Sequence, residues 1–373
     1  MRVLAIETSC DETAIALCKT SGGLRAPKIA VLSEVVASQV DVHREFGGVV
    51  PNLAKREHIA NLPVVLESVL RKASRQKDRG TLLRRIKSQE LRVKDGSLIH
   101  DSKFLIPRID MIAVTVGPGL EPALWAGIEF AKKLGKQWNV PVVGANHLEG
   151  HLYSFLLAKK AESSKFKVQS SKLFPAVALI VSGGHTILIS MSSLASRAVV
   201  GETLDDAAGE CFDKVARMLE LPYPGGVEIE RLAKSGNSDA IAFPRPMIHA
   251  ANFSFSFSGL KTSVLYYLKN NPGAKKADVA ASFQASVIDV LVYKTLRAAE
   301  AMGAHSIFFS GGVAANKTLR SSLSRAAQKI SMRAFVAPLR YNTDNAVMIA
   351  LAAYIGTLRG KKLPLTARGN LTL

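Results

Sequence analysis

The sequence predicts an α/β protein of two halves built on one plan. Three observations carry that reading. A strand, polar turn, strand unit occurs twice; a strand, glycine loop, helix unit follows each copy; and the order is the same in both halves. The first unit is "RVLAIETSCDETAIAL", an apolar strand, a polar turn over residues 8–13 and a second apolar strand, which together read as a hairpin. It is followed by "DMIAVTVGPGLEPALWAGIEFAKKL", a strand running into a glycine loop and then a helix. In the second half "FPAVALIVSGGHTILISM" repeats the hairpin plan, with its turn at residues 182–186, and "HSIFFSGGVAANKTLRSSLSRAA" repeats the strand, loop and helix. Such an order suggests an ancient duplication with a cleft between the halves. Domains are expected at 1–145 with 337–373, and at 146–336. Residues 71–104 break the rhythm and have no counterpart in the second half, so a charged helical insertion is expected there.

The chain has 373 residues and 48% hydrophobic content, enough for two well-packed cores. The longest apolar runs, "AVMIALAAYIG" and "FPAVALIVSGG", fall well short of the roughly 18 residues that a membrane span takes, so no span is expected. The opening "MRVLAIETSC" already reads as a buried strand, which leaves no signal or transit peptide in view. Cys10, Cys18 and Cys211 are too few and too scattered for a disulfide framework, which points to a reducing compartment. A soluble, intracellular protein is expected.

The net charge of +19 is more than a fold needs. Residues 71–103 alone hold 11 Lys and Arg against 4 Asp and Glu. Any single basic stretch reads equally well as a solvated face. For the chain as a whole, a polyanionic partner, nucleic acid, is the better reading.

"SGGHT" and "SGGVAAN" each follow a strand, the setting in which backbone N–H groups approach phosphate closely. Each alone also reads as a tight turn. Neither fits the dinucleotide or P-loop fingerprints. Together with "PYPGG" at 222–226, the pair favours a nucleotide held between two domains.

"NHLEGH" places His147 and His151 on one helix face, about 40° apart at roughly 100° per residue, able to share one metal ion. Histidines that only cap the helix or hydrogen-bond within it give the same spacing. In a zinc protease the general-base glutamate directly follows the first histidine; here that position is Leu148, and Glu149 lies on the far side from the metal face. Asp344 in "YNTDNAVMIA" is the best third ligand, because a carboxylate entering an apolar helix is otherwise costly to bury. Two imidazoles and one carboxylate leave coordination positions open, as a catalytic metal requires.

These motifs carry a resemblance over nearly the whole chain. "IETSCDET", "GGVVPNLAKREH", "GPGL", "NHLEGH", "VSGGHT", "GETLDDAAGECFDKVAR", "PYPGG", "FSFSGLKTSV", "SGGVAAN" and "TDNAVMIA" stand in the order seen in the TsaD family of tRNA adenosine threonylcarbamoyltransferases, formerly described as glycoprotein endopeptidases. The continuous "ETSCDET" and "FSFSGLKT" resemble its bacterial and organellar branch. The resemblance implies the actin-like ATPase (ASKHA) fold, two duplicated RNase H-like domains around a nucleotide cleft. It implies one divalent metal per subunit, iron (Fe2+) or zinc (Zn2+), on His147, His151 and Asp344. It further implies that Ile180, Val181, Ser182, Gly183, Gly184, Asp213, Gly226, Glu230 and Asn316 bind the adenylate-bearing substrate. Asp11 and Glu12 match an acidic pair of the first turn, as catalytic groups or as turn formers.

The implied reaction moves a threonylcarbamoyl group from threonylcarbamoyl-AMP to N6 of the adenosine 3′ of the anticodon, in tRNAs reading codons that begin with A. Implied partners are tRNA together with either a smaller metal-free paralogue and a small P-loop ATPase, or a second copy of the chain; no membrane is implied. The compartment is the bacterial cytoplasm, or a mitochondrial or plastid matrix. A metallopeptidase and a non-catalytic nucleotide-binding scaffold are the alternatives. Two features depart from the family pattern: Glu121-Pro122 after "GPGL", where a small residue is common, and the insertion at 71–104.

Overall fold

The computed structural model describes residues 1–75, 83–85, 105–158 and 173–373. The chain forms two compact units, one of Met1–Val42, Val49–Tyr153 and Asp344–Leu373, the other of His43–Gly48 and Ser154–Thr343. Helix α10 (Ala346–Leu358) and α4 (His147–Tyr153) therefore both belong to the first unit. The sequence-based division at 145/146 and 336/337 put α4 in the second domain.

In unit 1, β1 (Arg2–Glu7), β2 (Glu12–Ser21) and β3 (Lys28–Ser38) make an antiparallel meander. A short helix α1 (Val40–Arg44) and the long α2 (Pro51–Arg75) follow. After a two-stranded ribbon, β4 (Leu83–Arg85) with β5 (Leu105–Pro107), the strand β6 (Met111–Gly117) joins β1 in parallel. Helix α3 (Glu121–Trp138) then crosses to β7 (Val142–Asn146), giving the order β3-β2-β1-β6-β7. Leu4, Ile6, Ile15 and Leu17 pack with Leu62, Leu66, Leu124 and Ile128 of α2 and α3. Period-two alternation sends Val3 and Ala5 to the other face, which α10 covers. With both faces buried, an unbroken apolar strand is what this position needs.

Unit 2 repeats the plan. Strands β8 (Ala176–Val181), β9 (Thr186–Met191) and β10 (Arg197–Glu202) form the meander. Helices α5 (Ala208–Met218), α6 (Gly225–Ala233), α7 (Ser258–Asn270) and α8 (Lys276–Ala301) lead to β11 (Ser306–Ser310), α9 (Lys317–Lys329) and β12 (Arg333–Val336). The sheet order is β10-β9-β8-β11-β12, the same as in unit 1 read strand for strand. The duplicated α/β plan expected from the sequence is thus the architecture found. On one face Ile307 and Phe309 join the core of α5 and α8; on the other Phe308 stacks on Phe155.

Two local expectations change. The polar turn of the first hairpin ends earlier than 13, because β2 already pairs from Glu12. The segment expected to be a helical insertion contains a strand at Leu83–Arg85, held by its ladder to Leu105–Pro107; the rest of 76–104 lies outside the described residues. Helix α8 is long and apolar enough by length and composition to cross a membrane, which a search for unbroken apolar runs passes over. In the structure it is a core helix of unit 2, with Val279, Phe283, Val287, Leu291 and Ala298 buried.

Candidate functional site

Unit 1 gathers the two histidines and the aspartate. Helix α4 starts directly at the end of β7, so His147 and His151 stand one turn apart and both are buried. Asp344 precedes the helix α10, whose start is capped by the Asn345 side chain accepting from Met348 N. Gly150 lets α10 approach α4 closely: a Cβ there would lie 2.9 Å from Met348 Cγ. The result brings His147 Nε2 to 3.5 Å and His151 Nε2 to 3.1 Å from Asp344 Oδ1. One ligand atom from each of the three residues falls within 4.8 Å of the others. That spread and donor set fit a single divalent ion of the iron or zinc kind.

The far nitrogen of His147 is held by a carboxylate. Nδ1 lies 3.0 Å from Glu7 Oε2 and 3.1 Å from Ser9 Oγ. Glu7 is fully buried and also accepts from Thr115 Oγ1 at 2.8 Å and from Ser9 N. With Nδ1–H donated to Glu7, Nε2 is left facing Asp344 and the ion position, where a metal ion would displace its proton. Burial opposes charge on His147, yet the Asp344 and Glu7 carboxylates outweigh it and push the imidazole up to about 9. For His151 burial prevails and lowers the value.

Asp11 and Glu12 close the β1–β2 turn beside this group. Burial, then the charges of Asp344 and Asp11, raises the Glu12 carboxyl well above its usual range. Carboxylates crowded this closely repel one another, and a bound cation relieves the repulsion. The turn is braced from two sides: His58 Nε2 of α2 donates to Cys10 O at 3.0 Å, and Gln39 N, just past the end of β3, donates to Asp11 O at 2.9 Å. The glycines of "GPGL" bring a second loop against it. Gly119, at φ +154°, would place a Cβ only 2.6 Å from Ser9 O.

In unit 2 the expected substrate residues surround the carboxyl ends of the parallel strands β8 and β11, where open α/β sheets bind ligands. Ile180 and Val181 end β8, and residues 182–185 make the turn, in which Ser182 Oγ accepts from His185 N at 3.1 Å. Gly183 and Gly184 have no neighbour within 4 Å of a built Cβ, so their backbone is open to approach. Asp213 on α5 accepts from Gly225 N at 2.8 Å, which sets the start of α6 beside Gly226. Glu230 on α6 accepts from Lys317 N at 2.7 Å, and Asn316 caps α9 through Leu319 N while donating to Gln284. Gly209 N, at the start of α5, donates to Ser182 O at 3.2 Å, so the glycine turn and the starts of α5, α6 and α9 are linked through direct bonds, a setting in which backbone N–H groups can meet a phosphate.

The comparisons with known proteins decide the family. The family model of tRNA N6-adenosine threonylcarbamoyltransferase (TsaD) matches residues 30–79 and 96–351. The chain belongs to this family. A transferase of that name from Thermosipho melanesiensis is 43% identical over 354 residues, covering 95% of this chain and 94% of the relative. Those from Thermotoga neapolitana and Bacillus subtilis are 42% and 44% identical over 365 residues each, covering 98% and 96% of this chain and 97% and 92% of theirs. The TsaD model leaves out residues 80–95, inside the segment that the duplicated plan does not account for. Among solved structures, HypF from T. kodakarensis aligns over 96% of this chain with a TM-score of 0.57 at 13% identity, a likeness of fold alone; the chain spans about half of that one. The fold class is that of the actin-like ATPases.

Some residues packed around these groups carried little signal in the sequence. Glu7, Ser9 and Thr115 form the bracket around His147, and the one signal was a glutamate ending an unbroken apolar strand, where burial demands partners. Asp205 is another: it accepts from Ser256 and Ser258 hydroxyls and from Phe257 and Ser258 N, tying "ETLDD" to "FSFSG". Glu149, the protease-like glutamate, is buried and accepts from Lys361 Nζ at 2.8 Å.

Proposed function

We propose that the chain transfers the threonylcarbamoyl group of threonylcarbamoyl-AMP to N6 of the adenosine 3′ of the anticodon in tRNAs that read codons beginning with A. The support is membership of the transferase family over almost the entire chain, and the single observation that carries the chemistry is the group of His147, His151 and Asp344. An exocyclic adenine amine is a weak nucleophile, because its lone pair is delocalised into the ring. The donor is therefore an activated mixed anhydride. N6 bonds to the carbamoyl carbon, the bond from that carbon to the phosphate oxygen breaks, AMP leaves, and one N6 proton passes to a base.

His147, His151 and Asp344 would hold the ion. Bound there, Fe2+, or Zn2+ in its place, supplies Lewis acidity toward the acyl group. Glu7 keeps the His147 ring in the orientation that ligation needs. Asp11 or Glu12, in the turn beside the ligands, takes the N6 proton. The turn at 182–185 with Gly226, Glu230, Asn316 and Asp213 holds the adenylate, and its N–H groups stabilise the leaving phosphate. The target base lies in a single-stranded loop, so it reaches a pocket without opening a duplex, and the net charge of +19 favours the tRNA phosphates. Either a smaller metal-free paralogue with a small P-loop ATPase, or a second copy of the chain, completes the working assembly. We place it in a bacterial cytoplasm, with an organelle matrix as the alternative.

The test is direct. Metal-loaded protein, threonylcarbamoyl-AMP and unmodified tRNA are incubated, the tRNA is digested, and the threonylcarbamoylated nucleoside is sought by mass. Absence of product at every partner combination sinks the proposal. In single-turnover form the Asp11→Asn, Glu12→Gln double variant is expected to lose at least about a hundredfold in transfer rate, the range for a lost general base; an unchanged rate removes both carboxylates from the proton step.

A further inference from the structure

We infer that residues 359–373 act as a strap that fixes helix α4 from its outer side and so sets the metal affinity of the site, with Glu149 as the positioning residue. The inference rests on the reading of His147, His151 and Asp344 as a metal site. Glu149 is 2% exposed, points away from the ligand face, and lies 2.8 Å from Lys361 Nζ and 3.5 Å from Arg359 Nη1. Arg359 Nη1 is also 3.3 Å from the hydroxyl of Tyr153, at the end of α4. At the start of α4, Asn146 Oδ1 caps Glu149 N at 3.1 Å while its Nδ2 donates to Thr372 O at 2.8 Å. The strap therefore touches α4 at its beginning, middle and end.

The same strap is tied down elsewhere in unit 1. Arg368 N donates to Val116 O at 2.9 Å, and Gly119 N donates to Gly369 O at 3.1 Å. Glu121, one of the two departures from the family pattern, accepts from Gly369 N at 3.2 Å. A Cβ at Gly117 would meet Arg368 O at 2.0 Å, so strap and loop are in backbone contact.

Helix α4 has only seven residues, too few to keep its own shape or orientation. Its inner face carries two ligands, and the third, Asp344, stands just before α10, whose far end runs into the strap. One continuous stretch, 344–373, thus grips α4 on both sides. A buried glutamate facing two cations is an expensive way to gain stability, since apolar residues of the same volume serve as well or better. What the charged pair adds is a fixed rotation of α4, and a small rotation of a helix moves both imidazole nitrogens off the ion position.

The experiment uses full-length protein and Zn2+ as the probe, with affinity read by chelator competition and release read after a chelator jump. Wild type, Glu149→Gln, Lys361→Met, the double variant and His151→Ala are compared, each with its apo unfolding midpoint. Expected is one tight site in wild type, lost in His151→Ala. Each strap variant is expected to bind about tenfold more weakly and to release faster, in the range of outer partners of a ligand set. The double variant should be little worse than either single, because both remove one interaction. Should Glu149→Gln fail to fold, Lys361→Met, at the more exposed end of the pair, carries the test alone. A tight wild-type site with strap variants within twofold of it overturns the inference and leaves the metal site standing. A wild type that takes up no Zn2+, or a His151→Ala that binds as well, overturns both.

Discussion

Glu7 is the residue whose role is plainest in the structure and least visible in the chain. A carboxylate with no exposed surface is tolerable only if its oxygens are satisfied, and here Ser9 N, Thr115 Oγ1 and His147 Nδ1 do so. The cost of burial is turned into a fixed orientation of the His147 ring. Glu7→Gln keeps the volume but exchanges an ionic acceptor for an amide whose NH2 cannot accept from His147. Metal affinity is expected to fall 10- to 100-fold or so by chelator competition. A fall below twofold would reduce Glu7 to a packing residue. Leu148, by contrast, stays what the sequence made it: it is 2% exposed and occupies the place where a protease keeps its base.

At the scale of elements, the loops around β8 and β11 are fixed by a few long-range bonds rather than by their own propensities. Gly225 is one, since a Cβ there would sit 2.4 Å from Ala216 Cβ and 2.8 Å from Asp213 Cα, so α6 starts against α5 only with glycine. Asp205 is another. Burial would raise its carboxyl, but the hydroxyls of Ser256 and Ser258 and the N–H groups of Phe257 and Ser258 lower it below the usual carboxylate range. A group lowered on folding stabilises the fold above its unfolded value and loses that contribution as pH falls through the folded one. Asp205→Asn should therefore lower the thermal midpoint at pH 7, and the gap to wild type should close below about pH 4, where the unfolded aspartate is protonated. A gap that is constant down to acid would assign the loss to shape instead of charge.

For the whole molecule the charge remains the largest unspent signal. Deleting residues 81–101 removes five Lys and Arg and three Asp and Glu. If this segment meets the tRNA backbone, the slope of log affinity against log salt should shrink by about 0.7–0.9 for each phosphate that the deletion leaves unneutralised. A slope equal to that of the full chain would place the tRNA on another face. Composition proved ambiguous elsewhere at this scale. Helix α8 passes a membrane test by length and apolarity, yet it is the packed core of unit 2. What surrounds a helix, not its hydropathy, distinguishes the two.

The duplicated plan was legible in the sequence because it rests on local signals: period-two apolar strands, glycines after them, and helices with one apolar face. The histidine pair was legible for the same reason, since His147 and His151 are spaced by the helix itself, and Leu148 stands where a zinc protease has its base. Asp344 stood out as a charge in an apolar run. Glu7, Asp205 and Glu149 did not, because each owes its role to partners 50 to more than 200 residues away in the chain. Sequence periodicity reports which face of an element is buried; it carries no information about which distant element lies against that face. That is why the chain alone determined two like halves and a pair of metal-ready imidazoles, whereas the hold on those imidazoles, Glu7 behind one ring and the 359–373 strap behind the helix, was decided only when the tertiary structure brought the far end of the chain back to α4.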